Sequence, residues 1–329
     1  MALKVNHNVK LLNDIEVIIK NQKPYLKDTS IKQYSKSISI LYNHLKDDEH
    51  SFESFDFIKD VDKVTKLLNE YSYTTRRNYF SAIITLLQSE EKPDKDLINK
   101  YTTMVKSVNE EYVAFNQTGV VSEKQKDKLI KMEQVDTLLS ALKKDNKTME
   151  YILFKLLTIY HLRNEVATLQ RITPTEYNKL SKEERGGNNY LILGSKKITI
   201  SRNDYKTNKR YGNITINITD KEFLKELRDY VNTLPKESNA VFSYKGEIMT
   251  KKRLTNHLMY ISNKYIGVGI STTMLAKSIL SHKYAEGQAQ QKTDAAARGH
   301  SVGIQNAIYV KKLPEEMTEE NNEEVEVEE

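Results

Sequence analysis

Apolar residues recur at helical spacing through the first third of the chain. One stripe advances in steps of three and four, which places its members on a single face of an α-helix: Ile31, Tyr34, Ile38, Leu41 and Leu45. A second stripe follows Thr74 and Thr75 and consists of Phe80, Ile83, Ile84 and Leu87. Because only short polar links separate these patterns, residues 1–115 are predicted to form a small helical bundle.

The pattern is interrupted after residue 115. Residues 116–126 are polar and contain a glycine, so they are predicted to form a linker. Helical spacing resumes over residues 132–142 and again over 149–162. The second of these stretches is apolar on most sides, which predicts a deeply buried helix.

A short β-rich stretch lies inside the otherwise helical second half. Runs rich in β-branched residues predict strands at 190–193, 198–200 and 214–218. Helical patterns then return at 221–231, 252–265 and 273–284. The chain is therefore predicted to be α+β and mostly α, with a helical domain at 1–115, a linker at 116–126 and a second domain at 127–313.

Charge is distributed unevenly along the chain. It carries 51 Lys and Arg against 45 Asp and Glu, and nine of the acidic residues lie within 314–329. Residues 1–313 therefore hold 51 basic and 36 acidic side chains, a net charge of +15. A cationic body is typical of proteins that bind polyanions such as DNA, although a lysine-rich soluble surface is the simpler explanation. Residues 314–329 are predicted to be a disordered acidic tail.

Composition and missing motifs exclude several classes of protein. With no cysteine, the chain has no disulfides, thiolate metal sites or thiol nucleophile, which fits an intracellular setting. It has no P-loop, and its seven histidines show no metal-ligand spacing, so neither a metal nor a cofactor is expected. No apolar run approaches the ~20 residues of a membrane helix, and the N-terminus is too polar for a secretory signal.

Three segments of the second domain carry residues suited to phosphate chemistry. They are Arg163 in Leu-Arg-Asn-Glu-Val, Lys206 between two predicted strands, and Gly299-His300 followed nine residues later by Tyr309. Arginine is scarce, at ten residues, so an arginine that ends an apolar helix calls for an explanation. The structural alternative for Arg163 is an interaction with the helix dipole or an ion pair with Glu165.

Together these segments resemble the catalytic domain of the tyrosine recombinases, the integrase family of phages, bacteria and large DNA viruses. Residues 162–166 resemble the family's leucine–arginine box, and Lys206 lies where its β-turn lysine belongs. Gly299-His300 and Tyr309 match its final box in spacing. The resemblance extends over nearly all of residues 25–312. It implies an N-terminal core-binding domain of SAM-like fold and a catalytic domain with a small antiparallel sheet.

The resemblance implies that DNA is cut and rejoined with Tyr309 as nucleophile. A phenol of pKa ~10 is a poor nucleophile until nearby cations stabilise its anion. Arg163 can hold two phosphate oxygens and His300 can hydrogen-bond the same phosphate. Lys206 is the expected proton donor to the leaving 5′-oxygen. The implied intermediate is a 3′-phosphotyrosyl link, formed without a metal or nucleotide.

The chain departs from the family pattern at the His-x-x-Arg box. Thr273 stands at the histidine position and Ala276 at the position of the second arginine. Three interpretations are open: an inactive recombinase that still binds DNA, a replacement charge from Lys277 or Arg298, or a register shifted by one, with Lys277 in the arginine position. Lysine is a point charge and reproduces a bidentate arginine poorly.

Basic residues outside the site are candidates for DNA contacts. Arg76 and Arg77 begin a predicted helix, whereas Lys209 and Arg210 follow Lys206 in its turn. Such side chains position a protein on the phosphate backbone, although a solvated helix end explains the first pair nearly as well. The expected partners are double-stranded DNA and further copies of the chain, as a dimer or tetramer, and no membrane.

The sequence thus favours a site-specific recombinase or integrase whose activity is impaired by Ala276, acting inside the cell (the host cytoplasm or nucleus for a viral protein). Two alternatives remain open. One is a catalytically inactive, recombinase-like DNA-binding protein. The other is a topoisomerase of the type that also forms a phosphotyrosine.

Overall fold

The computed structural model of the protein describes residues 9–45, 55–117, 119–297 and Val302. It is mostly α-helical and contains two small sheets, so the predicted α+β composition is confirmed. The chain divides into two compact units, Met1–Val121 and Ser122–Glu329. His300, Tyr309, Arg298 and the acidic tail lie outside the described residues.

The first unit consists of helices in its described part. These are α1 (Val9–Gln22), α2 (Asp28–Leu45), a 3₁₀ helix (Asp56–Ile58), α3 (Val61–Leu68), α4 (Tyr73–Leu87) and α5 (Lys95–Gln117). The stripe predicted on α2 is confirmed, because Ile31, Ile38 and Leu41 are buried. At the centre of this core, the buried Tyr101 of α5 donates a 2.6 Å hydrogen bond to the carbonyl of Ile58.

The second unit begins with helices that support the first sheet. They are α6 (Glu123–Lys126), α7 (Met132–Lys144) and α8 (Thr148–Tyr160). As its composition predicts, α8 is buried on most sides: Ile152, Leu153, Phe154, Leu156 and Leu157. The predicted linker at 116–126 therefore contains the last turn of α5 and the short helix α6.

A 3₁₀ helix, Asn164–Thr168, connects α8 to the first sheet and is called the 3₁₀ segment below. The elements that follow are β1 (Leu169–Ile172), α9 (Pro174–Lys179), α10 (Lys182–Gly186), β2 (Asn189–Leu193), β3 (Ile198–Arg202), α11 (Asn208–Tyr211) and β4 (Ile214–Asn217). The unit continues with α12 (Lys221–Asn232), β5 (Ser243–Tyr244), β6 (Glu247–Ile248), α13 (Lys251–Ile266) and α14 (Thr272–Ala297). The strands β5 and β6 form a small hairpin sheet of their own.

The main sheet is mixed, and the expectation of a purely antiparallel sheet was wrong. Its strand order is β1-β2-β3-β4, in which β1 runs parallel to β2 and the other pairs are antiparallel. The parallel pair arises because α9 and α10 form a crossover between β1 and β2, as parallel neighbours require.

β1 escaped detection in the sequence because it has four residues, one of them Arg171. The guanidinium of Arg171 is satisfied by main-chain carbonyls. It donates to Ser238 at 3.0 Å, to Val231 at 3.2 Å and also to Pro235. A strand can therefore carry this cation inside a polar pocket that the local pattern does not reveal.

The last described helix is longer than predicted. The apolar pattern of α14 ends near Tyr284, but the helix continues to Ala297. Residues 285–297 are rich in Ala and Gln, which favour helix without forming an apolar stripe. Among the described residues, no helix is both long and apolar enough to cross a membrane.

Candidate functional site

Arg163 lies at the junction between α8 and the 3₁₀ segment. Helix α8 ends at His161, whose left-handed backbone (φ 50°, ψ 35°) turns the chain and whose N–H donates to the Leu157 carbonyl at 3.1 Å. Leu162 is then buried, while Arg163 is extended and exposed. Within the described residues, its guanidinium has no hydrogen-bond or ion-pair partner, so the cation is available to a ligand.

The sequence alternative of an Arg163–Glu165 ion pair is wrong. Glu165 is buried and accepts a hydrogen bond from the Arg202 guanidinium at the end of β3. The Arg202 guanidinium also lies 4.8 Å from the centre of the Tyr205 ring. This buried pair ties the 3₁₀ segment to the strand that leads into the Lys206 loop.

Asn189 of β2 also forms hydrogen bonds with the start of the Lys206 loop. Its Oδ1 accepts hydrogen bonds from the main-chain N–H groups of Asn203 at 2.9 Å and Asp204 at 3.0 Å. Its Nδ2 donates to the Asp204 carbonyl at 2.9 Å and to Thr168 of the 3₁₀ segment at 3.4 Å. The start of the loop is therefore bonded, through Asn189, to the 3₁₀ segment that follows Arg163.

Lys206 lies in the β3–β4 loop, which is more ordered than a simple turn because it contains α11. Tyr205 is buried and its hydroxyl donates to the Gly212 carbonyl at 2.6 Å, which closes the loop. Gly212 has φ 64° and ψ −158°, a conformation that glycine adopts readily. Lys206, Lys209 and Arg210 are exposed on this closed loop.

The first turn of α14 is bound to the residue that follows Arg163. Asn164 Oδ1 accepts a 2.7 Å hydrogen bond from the Thr272 hydroxyl, and its Nδ2 donates to Thr255 of α13 at 3.0 Å. Neither contact was anticipated from the sequence. The only local signal was the position of Asn164 directly after the arginine.

Thr273 and Ala276 therefore lie on a helix whose start is tied to the Arg163 junction. Thr273 is exposed and Ala276 is half-buried. The neighbouring Lys277 is exposed, and its ammonium donates to Gln125 Oε1 at 2.9 Å. Neither the histidine nor the arginine position of this box carries a charge, and the lysine beside them is engaged elsewhere.

The basic residues predicted to contact DNA differ in their exposure to solvent and in their ion pairs. Arg76 is ion-paired with Glu111 and its side chain is 19% exposed, whereas Arg77 is exposed. Tyr79, which follows these arginines on α4, is buried in the core of the first unit. In the second unit, Arg210 lies 5.1 Å from the Tyr211 ring centre on the exposed loop.

Two polar groups next to Arg163 have no hydrogen-bond partner in the described part of the chain. They are the Tyr160 hydroxyl and Nδ1 of His161, both buried. Burial lowers the pKa of His161, and the positive charge of Lys283 lowers it further. Among the described residues, no cluster of three or more His, Asp or Glu side chains could hold a metal ion.

No protein-family model matches the chain, and no curated protein matches it. Among solved structures, the chain is similar to a XerA recombinase, with 13% identity over 96% of this chain and 98% of that one. The TM-score is 0.32, a value too low to establish a common fold.

Proposed function

We propose that this protein is a DNA strand transferase of the tyrosine-recombinase type, which cuts and rejoins double-stranded DNA through a 3′-phosphotyrosyl intermediate. The proposal rests on the sequence motifs and on one structural observation. The 3₁₀ segment after Arg163 is bound directly to the start of α14 and, through Glu165 and Asn189, to the base of the Lys206 loop.

The assigned chemistry uses protein side chains alone. The Tyr309 phenolate oxygen attacks phosphorus and forms the phosphotyrosyl bond as the bond to the 5′-oxygen breaks. Lys206 gives its proton to that leaving oxygen, and Arg163 and His300 stabilise the charge on the non-bridging oxygens. In rejoining, a 5′-hydroxyl attacks the phosphotyrosine, and the proton returns to Lys206.

The two units have separate roles in this proposal. Residues 1–115 form a helical clamp on duplex DNA, and residues 127–313 hold the chemistry, with self-association as a dimer or tetramer for strand exchange. Integration, excision and resolution all use this reaction. Site-specific recombination inside the cell is the main assignment.

The uncharged Ala276 favours a second candidate function, a recombinase-like protein that binds DNA without cutting it. The ammonium of Lys277 is bonded to Gln125, so neither side chain brings a second cation to the site. Removal of one preorganised donor from such a site typically costs about 100-fold or more in rate. A topoisomerase of the phosphotyrosine type is the third candidate and would relax supercoiled plasmid as a monomer.

A covalent trap separates DNA cutting from DNA binding alone, and relaxation of supercoiled plasmid identifies the topoisomerase. A labelled pool of nicked duplexes with randomised sequence releases the 5′-strand after cutting, so an active protein remains bound to DNA through denaturing electrophoresis. We expect an adduct with the natural protein, none with Tyr309→Phe, and a normal yield with the control Tyr284→Phe. A gel shift without adduct, even for Ala276→Arg, would reject cutting in favour of DNA binding alone.

A further inference from the structure

His161 adopts a left-handed backbone conformation that most side chains disfavour. Among the described residues, the non-glycine positions with positive φ are Asn146, His161 and Lys245. Asparagine tolerates this region, and Lys245 lies in the tight β5–β6 turn beside Gly246. His161 ends α8 in the left-handed region, which histidine, like asparagine, enters more readily than most residues. Glycine is the usual residue at such a helix end, so a histidine two residues before Arg163 in the chain is a candidate for a functional role.

The imidazole of His161 is enclosed on one side only. Its Nδ1 is buried and has no hydrogen-bond partner among the described residues, whereas the residue as a whole is partly exposed. A second proton on the ring would place an unpaired N–H in the enclosed position, and Lys283 adds a nearby positive charge. The neutral ring that carries its hydrogen on Nε2 avoids both costs. That tautomer offers one donor to a ligand.

His161 lies close to the proposed phosphate site along the chain. It lies two residues before Arg163 and three before Asn164, which binds Thr272. Helix α8, which His161 ends, packs against α14. Thr272, Ala276, Ile279 and Lys283 follow one another in steps of four, three and four on a single face of α14. The charge of Lys283 lowers the pKa of His161, so the two residues lie near each other where α8 packs against α14.

We propose that His161 donates an Nε2–H hydrogen bond to the phosphate held by Arg163, and so replaces part of the contact that Thr273 and Ala276 do not provide. This inference rests on the proposed function for its ligand, a DNA phosphodiester. The left-handed turn at the end of α8 places His161 directly before the junction that carries Arg163. The enclosed Nδ1 fixes which nitrogen donates.

The test uses His161→Gly, which relieves the backbone strain while it removes the donor. We expect its melting temperature to equal or exceed that of the natural protein, and its adduct yield to fall about 100-fold. Asn146→Gly is the matched control, because it relieves a positive φ at the end of α7 and leaves the adduct yield unchanged. Any general effect of glycine at a helix end would appear in both variants.

A substrate change shows whether the lost contact is to phosphate. With a methylphosphonate at the scissile position, one charged oxygen is absent, so the natural protein and His161→Gly should form adduct at similar rates. An undiminished yield on the ordinary phosphate, or an equal loss on both substrates, would overturn the proposal. Either result would leave the strand-transferase function standing.

A second measurement does not need cutting at all. Inorganic phosphate added to protein with nitrogen-labelled histidine should shift the Nε2 signal of His161, and Arg163→Ala should abolish that shift. If no DNA adduct forms but the shift occurs, the cutting function fails while the His161 anion contact stands. If neither the adduct nor the shift is observed, both proposals fall.

Discussion

Asn164 Oδ1 accepts a 2.7 Å hydrogen bond from the hydroxyl of Thr272, more than a hundred residues away in the chain. The same amide donates to Thr255, so one side chain joins the 3₁₀ segment to both α13 and α14. This contact couples the position of Arg163 to that of Thr273 and Ala276. The geometry of the proposed phosphate site therefore depends on a residue that touches no substrate.

Loss of the Asn164–Thr272 hydrogen bond should reduce adduct formation strongly and lower the free energy of unfolding only a little. Thr272→Val keeps the shape of the side chain and leaves the Asn164 oxygen without its donor, at a cost of about 1 kcal/mol in unfolding free energy. We expect adduct formation to fall about tenfold, because a small displacement of positioned groups is costly. Urea unfolding and the covalent trap measure the two effects. Additive effects in Asn164→Ala/Thr272→Val would contradict the coupling.

Glu165→Gln should destabilise the second unit strongly. The side chains of Glu165 and Arg202 are 9% and 14% exposed, so the substitution leaves a nearly buried guanidinium without its carboxylate. Breaking a buried pair on one side costs about 3–5 kcal/mol. Urea unfolding measures the loss, and the exposed Glu237→Gln serves as control. If the free energy of unfolding is unchanged, the Glu165–Arg202 pair does not stabilise the start of the Lys206 loop.

Ala276→Arg should raise adduct formation about 100-fold if position 276 is the arginine position. The half-buried site leaves room for a side chain that extends toward solvent. Ala276→Gln is the matched control, since it adds a long polar side chain without charge. An equal rise with glutamine, or no rise with arginine, would reject this alignment of α14 with the family motif.

Stability should depend on pH through Glu226. Burial alone would raise the pKa of Glu226, but hydrogen bonds from Lys143, Lys155 and Tyr151 outweigh it and hold the pKa below its ordinary value of 4.5. The ionised carboxylate thus stabilises the fold above about pH 4.5, and this contribution is lost as pH falls through the lowered pKa.

We expect Glu226→Gln to cost about 2 kcal/mol at pH 7, and the difference from the natural protein to shrink steadily below pH 4.5. Thermal or urea unfolding across this range measures it. A difference that remains constant down to the lowest accessible pH would argue against the carboxylate as its source.

Substitution of Arg77 should weaken DNA binding, whereas substitution of Arg76 should mainly lower stability. Arg77→Ala removes an exposed cation, so we expect weaker binding to random-sequence duplex and a salt slope reduced by about 1. Arg76→Ala instead breaks the pair with Glu111, so it should lower stability by about 1 kcal/mol and change the DNA affinity less. Fluorescence anisotropy over a salt series compares them. A salt slope for Arg77→Ala equal to that of the natural protein would exclude Arg77 from the phosphate contacts.

The helices could be predicted from the sequence because their signal is local. In α2 and α8, apolar spacing alone identifies the buried face, since side chains three and four residues apart share one side of a helix. The strand β1 and the end of α14 gave no such signal. Arg171 is accommodated by carbonyls of distant residues, and the last turns of α14 have no apolar face.

The sequence by itself determined the helical stripes, the uneven charge, and the residue types and spacing that point to phosphate chemistry at Arg163 and Lys206. Only the tertiary structure decided which of these side chains are free. Glu165 binds Arg202 rather than Arg163, and Lys277 binds Gln125. The physical reason is that ion pairs and hydrogen bonds form between groups close in space. That proximity comes from the packing of whole elements, and spacing along the chain does not encode it.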